Sequence, residues 1–303
     1  MTHLYIDQGY SSVKLRYANK LHKFPTAICF ASDSGIQYGE EGVFEYQGQK
    51  YLVGPEAAEG EAFSTGDYSF KSKFDPLLLF FILSKLNLIE LAGQNQVQLH
   101  LTLALADWKH NEEYLNIFKN FTVNGIELSF ANIDLMPQGS GSYINFVTNQ
   151  NNNQHPKSAI ILDIGAVTIN MLAYKDGKPQ RQTSKGFPGH GVMISVIQPF
   201  RNWLETKFSM HFDNSEAMVI FMDNQFIFNG IPQEEVIKKI AELKNQFIHK
   251  LFNSVLTSEK KTLSTAEKVI FAGGGCYLLE GVQFAPNTIL TQKPYEFANV
   301  LGG

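Results

Sequence analysis

A two-lobed α/β fold is what this sequence predicts, and three observations predict it. The chain has 303 residues, more than a single hydrophobic core usually serves. Strand and helix signals are mixed through both halves. The stretch "LYIDQGYSSVKLRY" at residues 4–17 is echoed by "IILDIGAVTINMLAY" at 160–174. Aligned without a gap, Asp7 falls on Asp163, Gly9 on Gly165, Ser12 on Thr168 and Lys14 on Asn170, 156 residues apart, about half the chain. Such an echo implies two lobes on one plan.

Composition narrows the function classes. An apolar share of 44% and a charged share of 18% describe an ordinary globular chain, and 24 Phe supply aromatic mass for two cores. A net charge of −4 provides no global field to attract nucleic acid or an anionic membrane, so no direct contact with either is expected. Cys29 and Cys276 fit no metal spacing and read as packing residues. Met1 leads straight into a strand-like segment without a basic and apolar leader, and the longest apolar run, "LLLFFIL" at 77–83, is too short to cross a membrane. A cytoplasmic protein is expected.

The elements follow in order. "HLYID" and "VKLRY" are strands flanking the Gly9 turn, "KFPTAICFA" is a further strand, and "YQGQKYLVG" is a hairpin. A helix is predicted over about 76–91, with Asp75 as N-cap and Pro76 at its first position. The strand "VQLHLTLAL", a polar helix from near Lys109 and the hairpin "FTVNGIELSF", turning at Asn124-Gly125, come next. "ANIDLMPQGSGSYINFV" is a strand entering a small-residue helix start, and "TNQNNNQHPK" at 148–157 is the most loop-like block. The lobe boundary is placed there, giving residues 1–150 and 151–303. In the second half, the echoed strands at 159–174 precede an Asp176-Gly177 turn, then helices at about 191–207 and 232–256. The second helix carries Val236, Ile237, Ile240, Leu243, Phe247, Leu251, Phe252 and Val255 as an apolar stripe. "EKVIFAGGGCYLLEG" is a strand entering three glycines, and "PYEFANVLGG" is a short closing helix.

Two Asp-x-Gly turns, each after an apolar strand, suit a phosphate ligand. Glycine lets backbone N–H groups approach phosphates closely, and hydroxyls such as Ser11 and Ser12 add donors without bulk. An adjacent carboxylate can hold a hydrated magnesium ion, which keeps most of its waters. One copy would be an ordinary turn, since Asp and Gly favour turns on their own account. The run Ala272–Cys276 lacks the dinucleotide-binding spacing and by itself is equally a tight packing turn.

In these residues the chain resembles the actin, heat-shock chaperone and sugar kinase ATPase superfamily, and within it the bacterial actin-like ParM/StbA plasmid-segregation proteins. "YIDQGYSSVKL" resembles the first phosphate motif, "LMPQGSGSYINF" the first connecting segment, "ILDIGAVTINM" the second phosphate motif and "VIFAGGGCYLLEG" the adenosine motif, with "YEFANVLGG" like the last helix. The resemblance implies an actin-like two-lobed ATPase fold, each lobe a mixed sheet flanked by helices, with a nucleotide cleft between. It also implies Mg-ATP binding, GTP being an alternative, and assembly into filaments that move plasmid DNA through an adaptor protein. Carried over by residue, Asp7 and Asp163 would hold the magnesium through waters. Gly9, Ser11, Ser12, Lys14, Gly165 and Thr168 would bind phosphates, Gly273, Gly274 and Gly275 would lie beside the adenosine, and Gln138 would orient the attacking water. Such a site works by positioning and charge more than by covalent chemistry.

Ala166 and Asn170 depart from that motif, which usually has a second glycine and a later aspartate. A restricted loop, and either slow hydrolysis or an altered nucleotide preference, are expected from them. Two other functions remain open. A small-molecule kinase of the same fold needs a carboxylate base, for which Asp107 and Asp134 are candidates without a supporting motif. A scaffold that binds nucleotide without hydrolysing it rests on the two departures alone. His190 fits no metal constellation.

Overall fold

The computed structural model describes residues 1–31, 42–58, 62–63, 66–149 and 155–302. Backbone proximity divides the chain into two compact units, Met1–Asn151 with Phe297–Gly303, and Asn152–Glu296. Of the predicted loop block at 148–157, residues 150–154 lie outside the described set.

The first unit contains strands β1 (Thr2–Gln8), β2 (Ser12–Tyr17), β3 (Lys20–Pro25), β4 (Ile28–Phe30), β5 (Val43–Tyr46), β6 (Gln49–Val53), β7 (Val97–Leu103), β8 (Phe121–Val123), β9 (Ile126–Leu128) and β10 (Ile133–Pro137). They form two sheets, ordered β10-β7-β1-β2-β3 and β4-β6-β5-β8-β9. In the first sheet β1 pairs antiparallel with β2 and parallel with β7, so the sheet is mixed. The predicted strand "KFPTAICFA" divides into β3 and β4 in different sheets. Thr26 N still follows the β2 register, donating to Ser11 O at 3.1 Å, and the chain changes sheets at the next residue, where Ala27 O accepts from Gly54 N at 2.9 Å in register with β6.

The long apolar helix runs over Tyr68–Lys85, which corrects the predicted start at Pro76. Asp67, in extended backbone, accepts the Phe70 amide at 3.1 Å and is the cap. Pro76 therefore lies inside the helix, where its missing N–H removes one backbone bond. Burial of Phe70, Phe74 and Leu77–Leu83, apolar on every side of the helix, outweighs that loss. Those side chains join residues of both sheets, such as Leu4, Ile6, Tyr51 and Val123, in one core. Left-handed Asn87 (φ +57°) then breaks the chain before a separate short helix, Ile89–Gly93.

The second unit contains β11 (Ser158–Ile164), β12 (Thr168–Lys175), β13 (Lys178–Pro179), β14 (Lys185–Pro188), β15 (Ile227–Phe228), β16 (Ile231–Pro232), β17 (Lys268–Ala272) and β18 (Thr288–Leu290). Its main sheet is ordered β13-β12-β11-β17-β18, with β14 also on β12. Every residue of Ala159–Ile164 and Thr168–Tyr174 is buried, as in a sheet covered on both faces, whereas β2 alternates. The turns at Asn124-Gly125 and Asp176-Gly177 have φ of +51°, +72°, +48° and +77°, the signature of two-residue hairpins.

The two predicted helices of this unit appear as Gln198–Phe208 and Glu234–Lys250, preceded and followed respectively by the wider π-type turns Met193–Ile197 and Leu251–Leu256. Val236, Ile240, Leu243, Phe247, Leu251 and Val255 of the stripe are buried, while Ile237 is exposed. Two helices were not anticipated, Asn214–Asp223 and Lys260–Thr265. The first begins with a reciprocal capping box between Asp213 and Glu216, whose D-x-x-E spacing is legible in the sequence.

The closing helix, Ala298–Leu301, was grouped by sequence with the second lobe, and its residues pack within the first unit. There its backbone meets the helix Ser140–Thr148. A Cβ added at Gly141 would lie 1.8 Å from Asn299 O, and one added at Gly302 would lie 1.9 Å from Gly141 O. Only hydrogen fits at either position.

Candidate functional site

The two echoed hairpins have the same register. In the first unit Asp7 pairs with Lys14 and Gln8 with Val13, and in the second Asp163 pairs with Asn170 and Ile164 with Ile169. Each carboxylate also lies beside a parallel strand, Asp7 opposite Thr102 and Asp163 opposite Ala272. The sequence echo is thus a repeated three-strand arrangement with Asp at an equivalent place.

Asp7 is 5% exposed. Its Oδ1 accepts from Thr102 Oγ1 and from Gln138 Nε2, both at 2.7 Å, and its Oδ2 accepts from Asn299 Nδ2 at 3.4 Å. All three donors are neutral, so they orient the carboxylate without cancelling its charge. An ionised carboxylate offers roughly four acceptor positions, which leaves capacity for a metal-bound water. The following turn is tied down by Thr26, whose amide donates to Ser11 O and whose Oγ1 donates to Gly9 O at 2.7 Å. Gly9 is needed for space: a Cβ there would lie 2.8 Å from Lys14 Nζ and 2.8 Å from Ser12 O. The Lys14 ammonium therefore lies over the turn. Ser12 opens β2, and Ser11 is half-buried beside it.

In the second unit, Gly165 N donates to Thr168 O at 2.9 Å and closes the turn. The turn rests on the chain entering the next helix, where Val192 N donates to Gly165 O and Met193 N to Ala166 O. Asp163 is 5% exposed, and Asn170 Nδ2 lies 3.4 Å from the buried Thr168 Oγ1. Of the three glycines, Gly273 is held most tightly: its φ is +84°, and a Cβ there would lie 2.3 Å from Asp163 Oδ1 and 2.6 Å from Ile164 O. A Cβ added at Gly275 would lie 2.1 Å from Ile164 Cγ2, whereas one added at Gly274 would only touch Glu296 Cβ at 3.7 Å. Burial and the Asp163 charge push the Cys276 thiol well up, so it stays protonated and unreactive.

Residues 6–141 match the family of actin like proteins, N terminal domain, and residues 161–282 match the family of the archaeal actin homologue MreB-like, C-terminal. The chain belongs to the actin-like proteins. Solved structures agree on the fold. A 15-stranded ParM filament from Clostridium botulinum superposes with a TM-score of 0.79 at 18% identity, covering 99% of this chain and 97% of that one. The archaeal actin homolog Ta0583 in complex with ADP gives 0.74 at 20% identity, covering 100% and 97%. Bacillus thuringiensis ParM with ATP gives 0.69 at 16%, covering 100% and 96%. No curated protein matches by sequence. The fold is the actin-like one, two α/β lobes each with a mixed sheet flanked by helices.

In this actin-like protein the structure gathers Asp7, Gly9, Lys14 and Gln138 in the first unit and Asp163, Gly165, Thr168 and Gly273 in the second. Thr102, Thr26, Asn299 and Gly191 were not anticipated. A Cβ at Gly191 would lie 2.3 Å from Ala166 O, so this glycine lets the second turn seat against the helix entry. Thr102 lies in no motif, and Asn299, although inside the closing-helix segment "YEFANVLGG", has no role legible there; only the sheet register and the closing helix bring the two to Asp7. Ala166 is not among the described residues with positive φ, so its Cβ imposes no left-handed strain on the turn. Of the two kinase-base candidates, Asp107 accepts at 2.6 Å from the hydroxyl of Tyr10, a residue of the first turn, and the exposed Asp134 accepts from Gln98 and lies 3.0 Å from His100 Nδ1. Among the described residues no three His, Cys, Asp or Glu converge as a direct metal cage. No helix among them is long and apolar enough to cross a membrane.

Gly273→Ala is expected to destabilise the second unit by about 2 kcal/mol, because it adds both a left-handed alanine and a clash with backbone. Urea unfolding of wild type and variant checks this. Gly93→Ala, where nothing lies within 4 Å of the added methyl, serves as the control.

Proposed function

We propose that this protein binds Mg-ATP through its two turns and assembles into filaments that segregate plasmid DNA. The observation that carries this reading is the shared register, which sets Asp7 and Asp163 at equivalent positions beside a glycine turn. ParM filaments and nucleotide-bound relatives of the same fold support it. Asp7 and Asp163 would hold the metal's water shell. Gly9, Ser11, Ser12, Lys14, Gly165 and Thr168 would take phosphate oxygens, and Gly273–Gly275 would lie beside the adenosine. Bound magnesium would neutralise charge on the phosphates. With its amide nitrogen held by Asp7, Gln138 would offer its carbonyl oxygen to a water proton. A carboxamide orients water without deprotonating it, and Asn170 supplies no carboxylate opposite Asp163, so hydrolysis would be slow.

Filament contacts would be head-to-tail, the arrangement that yields open polymers. With a net charge of −4 the chain would reach DNA through an adaptor protein in the cytoplasm. The test is right-angle light scattering and pelleting of purified protein with Mg-ATP, Mg-GTP, Mg-ADP or EDTA. Scattering that requires a nucleoside triphosphate is expected. A protein that stays monomeric at high concentration under every condition overturns the filament reading and directs attention to kinase substrates. Phosphate release during the same experiment separates a motor from a non-hydrolysing scaffold.

A further inference from the structure

Behind the first turn lies a buried polar group that the proposed chemistry does not use. Lys71 and Asp75, one turn apart on the helix Tyr68–Lys85, are 2% and 1% exposed, with Nζ and Oδ2 3.8 Å apart. Lys71 Nζ donates to the carbonyl of Gln8, the residue between Asp7 and Gly9, and lies 4.8 Å from the centre of the Tyr10 ring. Gln8 is 1% exposed, and its Nε2 donates to the Asp75 carbonyl at 3.3 Å. Tyr114 OH lies 2.5 Å from Gln8 Oε1 and 2.6 Å from Asp75 Oδ2. Buried ion pairs add little net stability, because desolvation offsets their attraction. This one, however, is bonded to the backbone and side chain of a single turn residue.

We propose that Lys71, Asp75 and Tyr114 are positioning residues for the first phosphate turn, which they hold through Gln8. The inference rests on the nucleotide-binding reading. A hydroxyl has one proton, so Tyr114 donates to only one of its two acceptors at a time. The Asp75 carbonyl fixes the Gln8 amide with its nitrogen inward, so Gln8 Oε1 can only accept. When Asp75 carries a proton, its O–H donates to Tyr114, Tyr114 donates to Gln8, and every group is satisfied. When Asp75 is ionised it accepts the Tyr114 O–H hydrogen bond, and Gln8 Oε1 loses its donor. At the same time the carboxylate cancels the Lys71 charge beneath the turn.

Burial raises the Asp75 carboxyl to about 6, against the lowering effects of Lys71 and Tyr114. Among the described residues, Asp107, bonded to Tyr10, raises it further; the Tyr10 and Tyr68 hydroxyls also feel the Asp75 charge, and Asp7 acts on Tyr114. Nucleotide should therefore bind more tightly as pH falls through about 6.

The test is calorimetric titration of the full chain with Mg-ATP from pH 5.5 to 8, for wild type, Lys71→Met, Asp75→Asn and Tyr114→Phe, with circular dichroism melts to establish that each folds. Lys71→Met should weaken binding about tenfold, as loss of a charged donor does. Asp75→Asn copies the protonated state, and comparing it with wild type cancels ATP's own titration. The two should bind equally at pH 5.5, and the Asp75→Asn variant should bind about fivefold more tightly at pH 8, the value of one hydrogen bond. Tyr114→Phe, which leaves Gln8 Oε1 without its donor at every pH, should bind about fivefold more weakly than wild type at pH 5.5 and about equally at pH 8, while keeping the fold. Wild type that folds and binds no ATP overturns the nucleotide reading and this one together. Wild type that binds, with affinity ratios flat in pH and folded variants equal to it, overturns the positioning role alone.

Discussion

Gly141→Ala is expected to destabilise the first unit by roughly 3 kcal/mol, the upper end for overpacking. The added methyl would lie 1.8 Å from Asn299 O and 2.6 Å from Asn299 C, and both are backbone atoms that no rotamer change can move. Relief requires the closing helix to move away from Ser140–Thr148. That movement would also withdraw the Asn299 side chain, which accepts from Gly139 N at 2.8 Å and Ser142 Oγ at 3.2 Å and donates to Asp7. The substitution should therefore reduce nucleotide affinity as well as the urea midpoint, although residue 141 touches no proposed ligand group. A variant with unchanged midpoint and affinity would show that the Gly141–Gly302 seam does not hold the closing helix.

Asp163→Ala is expected to abolish nucleotide-dependent scattering at magnesium concentrations that saturate wild type. A carboxylate that holds a metal through its waters typically accounts for about 10- to 100-fold in metal affinity. The effect should be specific to chemistry, since the side chain lies against Gly273 and an alanine leaves a small gap there with no clash. Asp163→Asn preserves that packing, so equal loss in both variants assigns the defect to charge. If either variant assembles like wild type in Mg-ATP and not in EDTA, Asp163 is not part of the magnesium shell.

Much of this was legible along the chain because hairpins are local. The register of a two-strand turn is set by the alternation of its own residues and by its glycine, so the 156-residue echo predicted two hairpins that the structure pairs alike. Turn chemistry at Asn124-Gly125 and Asp176-Gly177, and the apolar stripe of Glu234–Lys250, are equally local signals. The start of the helix at Tyr68 was less legible, because Asp75-Pro76 is as good a start signal as Asp67. Burial of Lys71 and Asp75, which decides between them, depends on Gln8 and Tyr114 from elsewhere in the chain.

What the sequence determined by itself was the class of the fold and the pair of Asp-Gly turns, both written in short-range patterns of polarity and small residues. Tertiary structure alone decided which neutral donors surround Asp7, which glycines have no room for a methyl, and which unit receives the closing helix. Thr102, Gln138 and Asn299 lie 95, 131 and 292 residues from Asp7 along the chain. No local pattern encodes such meetings, because they arise where a parallel strand and a returning helix are brought together by burial of side chains that take no part in the site.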